Sequence, residues 1–274
     1  MERNELYKII DDYWEDYNNK RHLEGVCQPS IPIIWFGDID KYFNSKMRTI
    51  TVGLNPSSNE FMDKDVRKLT FRFENASIFL NKNHLNNKEK DILIDSYNNY
   101  FNNNPYKKWF IWNDKKIMEF INCKGGYDVG YNAKYDDVKH ENTAIHVDCC
   151  SAIATDPTIS GLKRKYNKTY KILLNMDLFV RFINFLKPDV ILFSSNYNIF
   201  KQFMQKYCKN DRLKPFYGDS DNYPKKKGKL NAFIVKDKLL IHGRNMGTLF
   251  SPIKDEDKIK FFNNIFKEDK LDKN

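Results

Sequence analysis

Residues 49–61 read TITVGLNPSSNEF, an apolar run that stops abruptly at Asn55 and Pro56. β-Branched residues crowd into its first half, which is typical of a buried strand, and we expect that strand over residues 49–54. Proline restricts the backbone directly after the asparagine, so the amide side chain is held in one place. The stretch therefore predicts a buried strand that ends on a rigid Asn-Pro turn, with two serines behind it.

Strand and helix patterns alternate along the rest of the chain. Further strands are expected over residues 144–148 and 189–193, and a hairpin joins NAFIV (231–235) to LLIHG (239–243). Helical spacing of apolar residues predicts helices over residues 3–19, 88–101, 106–121, 169–186, 196–208 and 255–267. This alternation predicts an α/β fold of three layers, αβα, around a central, mainly parallel sheet.

The domain organisation follows from what the chain lacks. No stretch is rich enough in Gly, Pro or Ser to act as a linker, so residues 1–274 are expected to form a single domain. The Asn-rich residues 81–104 are interpreted as a surface insertion into it.

Composition excludes several classes of protein. No apolar run reaches the ~18 residues of a membrane span, and the acidic N-terminus is unlike a targeting signal, so a cytoplasmic protein is expected. The five cysteines show no metal-ligand spacing, and we expect neither a metal nor a cofactor. A net charge of +10 favours a polyanionic partner, although a Lys- and Asn-rich composition is also what an AT-rich genome produces. We expect a monomer.

Polar residues stand where the expected strands end. Parallel sheets place their chemistry beyond the carboxyl ends of their strands, and those ends carry Asn55, Asp148, Ser194, Ser195 and His242. Each has a purely structural alternative. An Asn-Pro pair is common in turns, an aspartate can cap a helix, and a histidine can be a satisfied core residue.

Four segments resemble the uracil-DNA glycosylase superfamily. GLNPS (53–57) resembles its first motif, as found in the mismatch-specific Gly-x-Asn-Pro branch. HGRNMGTLFSP (242–252) stands where the superfamily has its second motif, and HVDCCSAIATDPT (146–158) where it reads the base. IPIIWFGDIDKYF (31–43) resembles a lead-in present in some members. In the second motif the usual prolines and serine are replaced by Gly243, Arg244 and Asn245.

The resemblance implies a DNA N-glycosylase that flips a nucleotide out of double-stranded DNA and leaves an abasic site. Asn55 is then the residue that positions the attacking water, and His242 the one that donates a hydrogen bond to the departing base. Arg244 and Asn245 would contact the base or phosphates. Met246 would be an apolar wedge in the vacated stack, or simply a core residue.

The same resemblance suggests which base is read. Uracil-specific members carry a bulky tyrosine where this chain has Ser57, so room is left beside carbon 5. They carry an asparagine where this chain has Asp148, and a carboxylate, which only accepts, suits the amino group of cytosine. Phe73, Phe71 or Phe61 would stack on the base. The implied substrate is a 5-substituted cytosine, as in some phage genomes, and the implied role is anti-phage defence.

Three alternatives remain at this stage. The same roomy pocket would allow repair of uracil or thymine in mismatches. A non-catalytic DNA-binding protein could use the same fold. An α/β nucleotide hydrolase or transferase is disfavoured, because no Gly-rich phosphate loop or acidic metal cluster follows a strand.

Overall fold

The computed structural model describes residues 1–63, 68–69, 71–73, 75–103, 105–106, 110, 115–120, 123–124, 142–209, 214–218, 229–244, 249–250 and 253–266. The helices with described bounds are α1 (Arg3–Lys20), α2 (Ile39–Phe43), α3 (Asn87–Asn98), α4 (Lys115–Phe120), α5 (Ile159–Lys165), α6 (Asn167–Leu173), α7 (Met176–Leu186), α8 (Tyr197–Cys208) and α9 (Asp255–Phe266). The strands are β1 (Thr49–Gly53), β2 (Met62–Asp63), β3 (Lys68–Leu69), β4 (Cys123–Lys124), β5 (Asn142–Thr143), β6 (Ile145–Asp148), β7 (Val190–Ser194), β8 (Tyr217–Gly218), β9 (Asn231–Val235) and β10 (Lys238–Gly243).

Two compact units interleave along the chain, and each is built from three segments. The first unit comprises Met1–Asp40, Leu54–Tyr106 and His146–Leu186. The second comprises Lys41–Gly53, Lys107–Ile145 and Lys187–Asn274. Neither is a continuous stretch of sequence, which is why no linker marks a boundary between them.

The core of the first unit forms around the amphipathic helix α1. Its buried residues recur at helical spacing: Leu6, Ile9, Ile10, Tyr13, Trp14 and Tyr17. Tyr13 meets Phe182 of α7 edge-on, with ring centroids 6.2 Å apart. Fully burying side chains of this size stabilises a fold by about 2–3 kcal/mol each, so this face holds α1 in place. The expected N-terminal helix is confirmed.

The expectation of a surface insertion over residues 81–104 is wrong for its second half. Helix α3 buries Leu93, Ile94 and Tyr97, and Tyr100 follows in the next turn with no exposed surface. The asparagines of this segment lie at the two ends of α3 or outside it, and they obscure its apolar stripe in the composition. Tyr97 also donates a hydrogen bond to the Pro32 carbonyl (2.5 Å), so this segment belongs to the core.

The helix expected over residues 169–186 is two helices, α6 and α7. Between them, Asn175 accepts a hydrogen bond from the Leu178 backbone amide through its side chain (3.3 Å), as an N-terminal cap does. Its Nδ2 donates to Asp16 of α1 (2.7 Å). Apolar spacing continues across the break, and for that reason periodicity alone did not reveal it.

The second unit contains a mixed sheet with the strand order β1-β7-β10-β9-β8. Strands β1, β7 and β10 are parallel, with Ile50 opposite Ile191 and Leu240 opposite Ile191 on its other side. The hairpin β9–β10 and the short strand β8 are antiparallel. The α/β class, the central parallel strands and the hairpin are confirmed, and the hairpin makes the sheet mixed.

Helices cover both faces of this sheet. Phe233 of β9 lies 5.5 Å from Phe200 of α8, between ring centroids. The preceding residue, Ala232, faces the other way and pairs with Tyr217, whose ring lies 5.3 Å from Phe261 of α9. The second unit by itself therefore has the expected order of helix, sheet and helix. Among the helices that the structure describes, none is long and apolar enough to cross a membrane.

Candidate functional site

Asn55 lies in the first unit, two residues beyond the end of β1, and its side-chain amide is held by three acceptors. Its Nδ2 donates to Thr155 Oγ1 (2.9 Å), to the Pro56 carbonyl (3.0 Å) and to the Ile153 carbonyl (3.3 Å). The backbone is held as well, because the Cys150 amide donates to the Leu54 carbonyl (2.8 Å). The Asn-Pro turn is therefore fixed by the segment that follows β6.

The carbonyl end of the same amide is left over. Within the described residues, Asn55 Oδ1 accepts no hydrogen bond, and the residue is half-buried rather than buried. Because all three contacts are made by the nitrogen, the amide orientation is determined and the oxygen is presented for a hydrogen-bond donor such as water. This arrangement fits the predicted water-positioning role.

Ser57 has a local structural task. It is the N-terminal cap of the short 3₁₀ helix Ser58–Glu60, and its Oγ accepts from the Asn59 amide (3.2 Å). Its backbone forms a parallel bridge with Thr155. A small capping residue at this position thus has a reason independent of any space it leaves for a base.

The phenylalanines proposed to stack on a base differ in exposure. Phe61 and Phe73 are buried, whereas Phe71 is half-buried. Phe73 stacks on Tyr100, with centroids 5.0 Å apart, and contacts Phe36 at 6.0 Å. Phe71 lies 5.3 Å from Phe61. Of the three rings, Phe71 has the most free surface to offer a ligand.

Asp148, the last residue of β6, is buried beside a histidine. Its Oδ1 lies 3.4 Å from His146 Nε2, and both side chains are only 4% exposed. His146 forms an antiparallel bridge with Phe36, whose ring lies 5.5 Å from the imidazole. Among the described residues, no backbone amide of a helix N-terminus donates to this carboxylate, so the structural alternative of a helix cap is not observed there.

Glu60 is a second buried carboxyl group, which sequence reasoning missed. It is 2% exposed, and Tyr100 donates a hydrogen bond to its Oε2 (2.8 Å). Burial raises the pKa of Glu60 to about 8, against the smaller opposing effects of the Tyr100 hydrogen bond and the Arg72 charge, while the Asp148 charge raises it further. In the sequence, Glu60 is marked only by its position directly before Phe61, which the structure shows to be buried.

His242 lies in β10 of the second unit and is packed as a core residue. Its ring stacks on Phe200, with centroids 3.9 Å apart, and its Nε2 lies 3.3 Å from the Ser195 carbonyl. Burial lowers its pKa to about 3, and the Arg244 charge lowers it further despite the Ser195 contact, so the ring is neutral near pH 7. A carbonyl can only accept, so Nε2 carries the single ring proton. To donate a hydrogen bond to a base, His242 would have to break the hydrogen bond from its Nε2 to the Ser195 carbonyl.

Of the three residues predicted to contact DNA in the second motif, the structure describes one. Arg244 is half-buried in the second unit, whereas Asn245 and Met246 lie outside the described residues. Among the described residues, no group of three or more His, Cys, Asp or Glu side chains could hold a metal ion.

The segment that anchors Asn55 was interpreted from the sequence only as a base-reading segment, and its anchoring role was not predicted. Thr155 lies within HVDCCSAIATDPT, and nothing in its sequence neighbourhood distinguishes it from Thr158. In comparisons of the chain with protein-family models, curated proteins and solved structures, nothing matches.

Proposed function

We propose that this protein is a monofunctional DNA N-glycosylase that excises a 5-substituted cytosine from double-stranded DNA. The reaction is hydrolysis and leaves an abasic site. The proposed setting is defence against phages whose DNA carries such bases.

One observation carries this proposal: the orientation of the Asn55 amide. Its nitrogen is held by Thr155 and two backbone carbonyls, and its oxygen has no partner within the described residues. A water molecule that donates to this oxygen would be held in a defined position before the reaction. Fixing a nucleophile in this way removes part of the entropic barrier.

The chemistry follows from the same geometry. The water oxygen forms a bond to the sugar carbon C1′ while the bond from C1′ to the base nitrogen breaks. The electron pair leaves with the base, which takes up a proton, and the water loses its extra proton to solvent. Asn55 only orients the water, because an amide is not a strong base. The rate therefore depends on how well the departing base is stabilised.

Asp148 supports the choice of a cytosine-type base. As a carboxylate it accepts hydrogen bonds, and an exocyclic amino group donates them. Its side chain is 4% exposed, so an amino group that reached it would be removed from water. Since a hydrogen bond to a buried charged group is stronger than one in water, the carboxylate would discriminate between an amino and a carbonyl edge.

The test is a side-by-side excision assay. Phage DNA with 5-hydroxymethylcytosine, the same sequence with plain cytosine, and a G·U duplex are incubated with the protein, and alkali then cleaves abasic sites. We expect cleavage in the modified DNA. Cleavage confined to the G·U duplex would replace this proposal with mismatch repair of uracil.

A second candidate is a DNA-binding protein without enzymatic activity. Helix α5 ends in the exposed residues Lys163, Arg164 and Lys165, and the chain carries a net charge of +10. Phosphate contacts of this kind supply affinity without sequence recognition. Tight binding to DNA, together with no cleavage on any of the three substrates, would favour this candidate.

A further inference from the structure

The hydrogen bonds around Glu60 determine where a proton on that carboxyl group would lie. The Tyr106 backbone amide donates to the Tyr100 hydroxyl oxygen (2.8 Å). The Tyr100 hydroxyl in turn donates its proton to Glu60 Oε2, 2.8 Å away. Because Oε2 accepts that bond, the carboxylic proton of a neutral Glu60 is placed on Oε1.

Glu60 Oε1 is an unused group in a nearly buried side chain. Within the described residues it has no hydrogen-bond partner, although the residue is only 2% exposed. Nearly all buried polar groups are satisfied in native proteins, and the exceptions call for a reason such as a ligand.

Glu60 and Asp148 belong to one cluster of side chains. The Tyr100 ring, whose hydroxyl holds Glu60, lies 4.9 Å from Phe36, and Phe36 lies 5.5 Å from His146, the neighbour of Asp148. The charge of Asp148 also acts on Glu60. A continuous chain of side-chain contacts within the first unit thus links the two buried carboxyl groups.

We infer that Glu60 is a second base-reading residue, which donates a hydrogen bond from Oε1 to the edge of the base while Asp148 accepts one from it. This inference rests on the proposed function. A cytosine-type base presents such a pair, because its exocyclic amino group donates and the adjacent ring nitrogen N3 accepts. Two ionised carboxylates would only accept and would leave N3 without a donor.

Base recognition therefore depends on the protonation of Glu60. Its raised pKa of about 8 keeps it neutral near pH 7. The groups that act on it are the Tyr100 hydroxyl, the Arg72 guanidinium and the Asp148 carboxylate, in addition to its burial. Above about pH 8, Glu60 would lose the proton that it donates, and affinity for the base should fall.

The experiment uses the free base 5-hydroxymethylcytosine as probe and the full chain as protein. Binding is measured by titration calorimetry between about pH 6 and pH 9.5, and single-turnover excision from modified duplex is followed over the same range. We expect both to decline through about pH 8 in the natural protein. Glu60→Ala should weaken base binding about tenfold, the usual effect of one lost hydrogen bond.

The isosteric variant isolates the ionisation of Glu60, and binding is compared only at pH values at which tryptophan fluorescence shows both proteins to be folded. Glu60→Gln keeps a donor at the Oε1 position and an acceptor for Tyr100 but cannot ionise, so it should restore most of the binding lost in Glu60→Ala and remove the alkaline decline. Glu24→Gln, at an exposed glutamate of the same unit, is the matched control and should keep the natural pH profile.

The results distinguish failure of the inference from failure of the glycosylase proposal. Base binding that declines through about pH 8 only while Glu60 is present supports the inference, even if no duplex is cleaved and the glycosylase proposal falls. If excision occurs and Glu60→Gln leaves its pH profile unchanged, the inference is overturned and the glycosylase proposal stands. The same holds if Glu60→Ala binds the base as tightly as the natural protein. If the protein shows neither excision nor base binding, both the inference and the glycosylase proposal are overturned.

Discussion

The buried carboxyl group of Glu60 should make the stability of this protein fall as pH rises. The native state holds a proton on Glu60 up to about pH 8, whereas the unfolded chain releases it near the ordinary value of 4.5. Between these values the native state binds more protons, so the free energy of unfolding decreases by up to about 1.4 kcal/mol per pH unit. Over the whole interval the loss amounts to about 5 kcal/mol. Below about pH 4.5 the effect is absent, because both states are protonated.

Replacing Glu60 by glutamine isolates this contribution. Glutamine preserves the shape and the bond from Tyr100 but has no charge to bury, so the variant should become more stable than the natural protein as pH increases. The assay is urea unfolding between about pH 5 and pH 9, followed by tryptophan fluorescence, to which Trp14 and Trp35, both buried in the first unit, contribute. Glu24→Gln is the control. If the Glu60→Gln and natural stability curves run parallel from about pH 5 to pH 9, Glu60 is not a buried neutral acid and the reasoning is refuted.

Three further predictions concern the site itself. Asn55→Ala should abolish excision but keep DNA affinity in a filter-binding assay, since affinity comes mainly from phosphate contacts, and near-normal rates would remove Asn55 from the site. Thr155→Val, which removes one anchor of the same amide, should slow single-turnover excision by about tenfold at unchanged melting temperature; an unchanged rate would show the anchor to be dispensable. Asp148→Asn should shift preference in paired duplex assays from modified cytosine toward uracil, because an amide both donates and accepts, and an unchanged preference would place Asp148 outside the base pocket.

A fourth concerns the second unit. His242→Phe retains the stacking on Phe200 but leaves the Ser195 carbonyl without its donor. We expect a loss of stability with excision preserved, measured by thermal melting and single-turnover kinetics. A loss of excision of about 10²–10³-fold in a folded variant would instead identify His242 as the donor to the departing base.

Local sequence determined most of the secondary structure. The β-branched run before Asn55 gave a buried strand, and the six apolar positions on α1 gave an amphipathic helix, because each pattern matches the period of its element. The stop at Asn55-Pro56 was equally local, since proline restricts the backbone wherever it occurs. Where the pattern was ambiguous, as at Asn175 between two apolar stretches, periodicity failed, because a capping side chain interrupts the helix without changing the apolar spacing.

Tertiary structure decided the chemistry. Sequence placed Asn55 at the end of a strand, but the end of its amide that is left over is decided by the Pro56 and Ile153 carbonyls, which only the nitrogen can meet, and Ile153 lies 98 residues away. Nothing in the sequence distinguished Glu60, and its raised pKa follows from burial, for which Tyr100 of the Asn-rich segment supplies a neighbour. A pKa depends on solvent exclusion and on the charges gathered around a group, and these are properties of the folded chain rather than of any stretch of it.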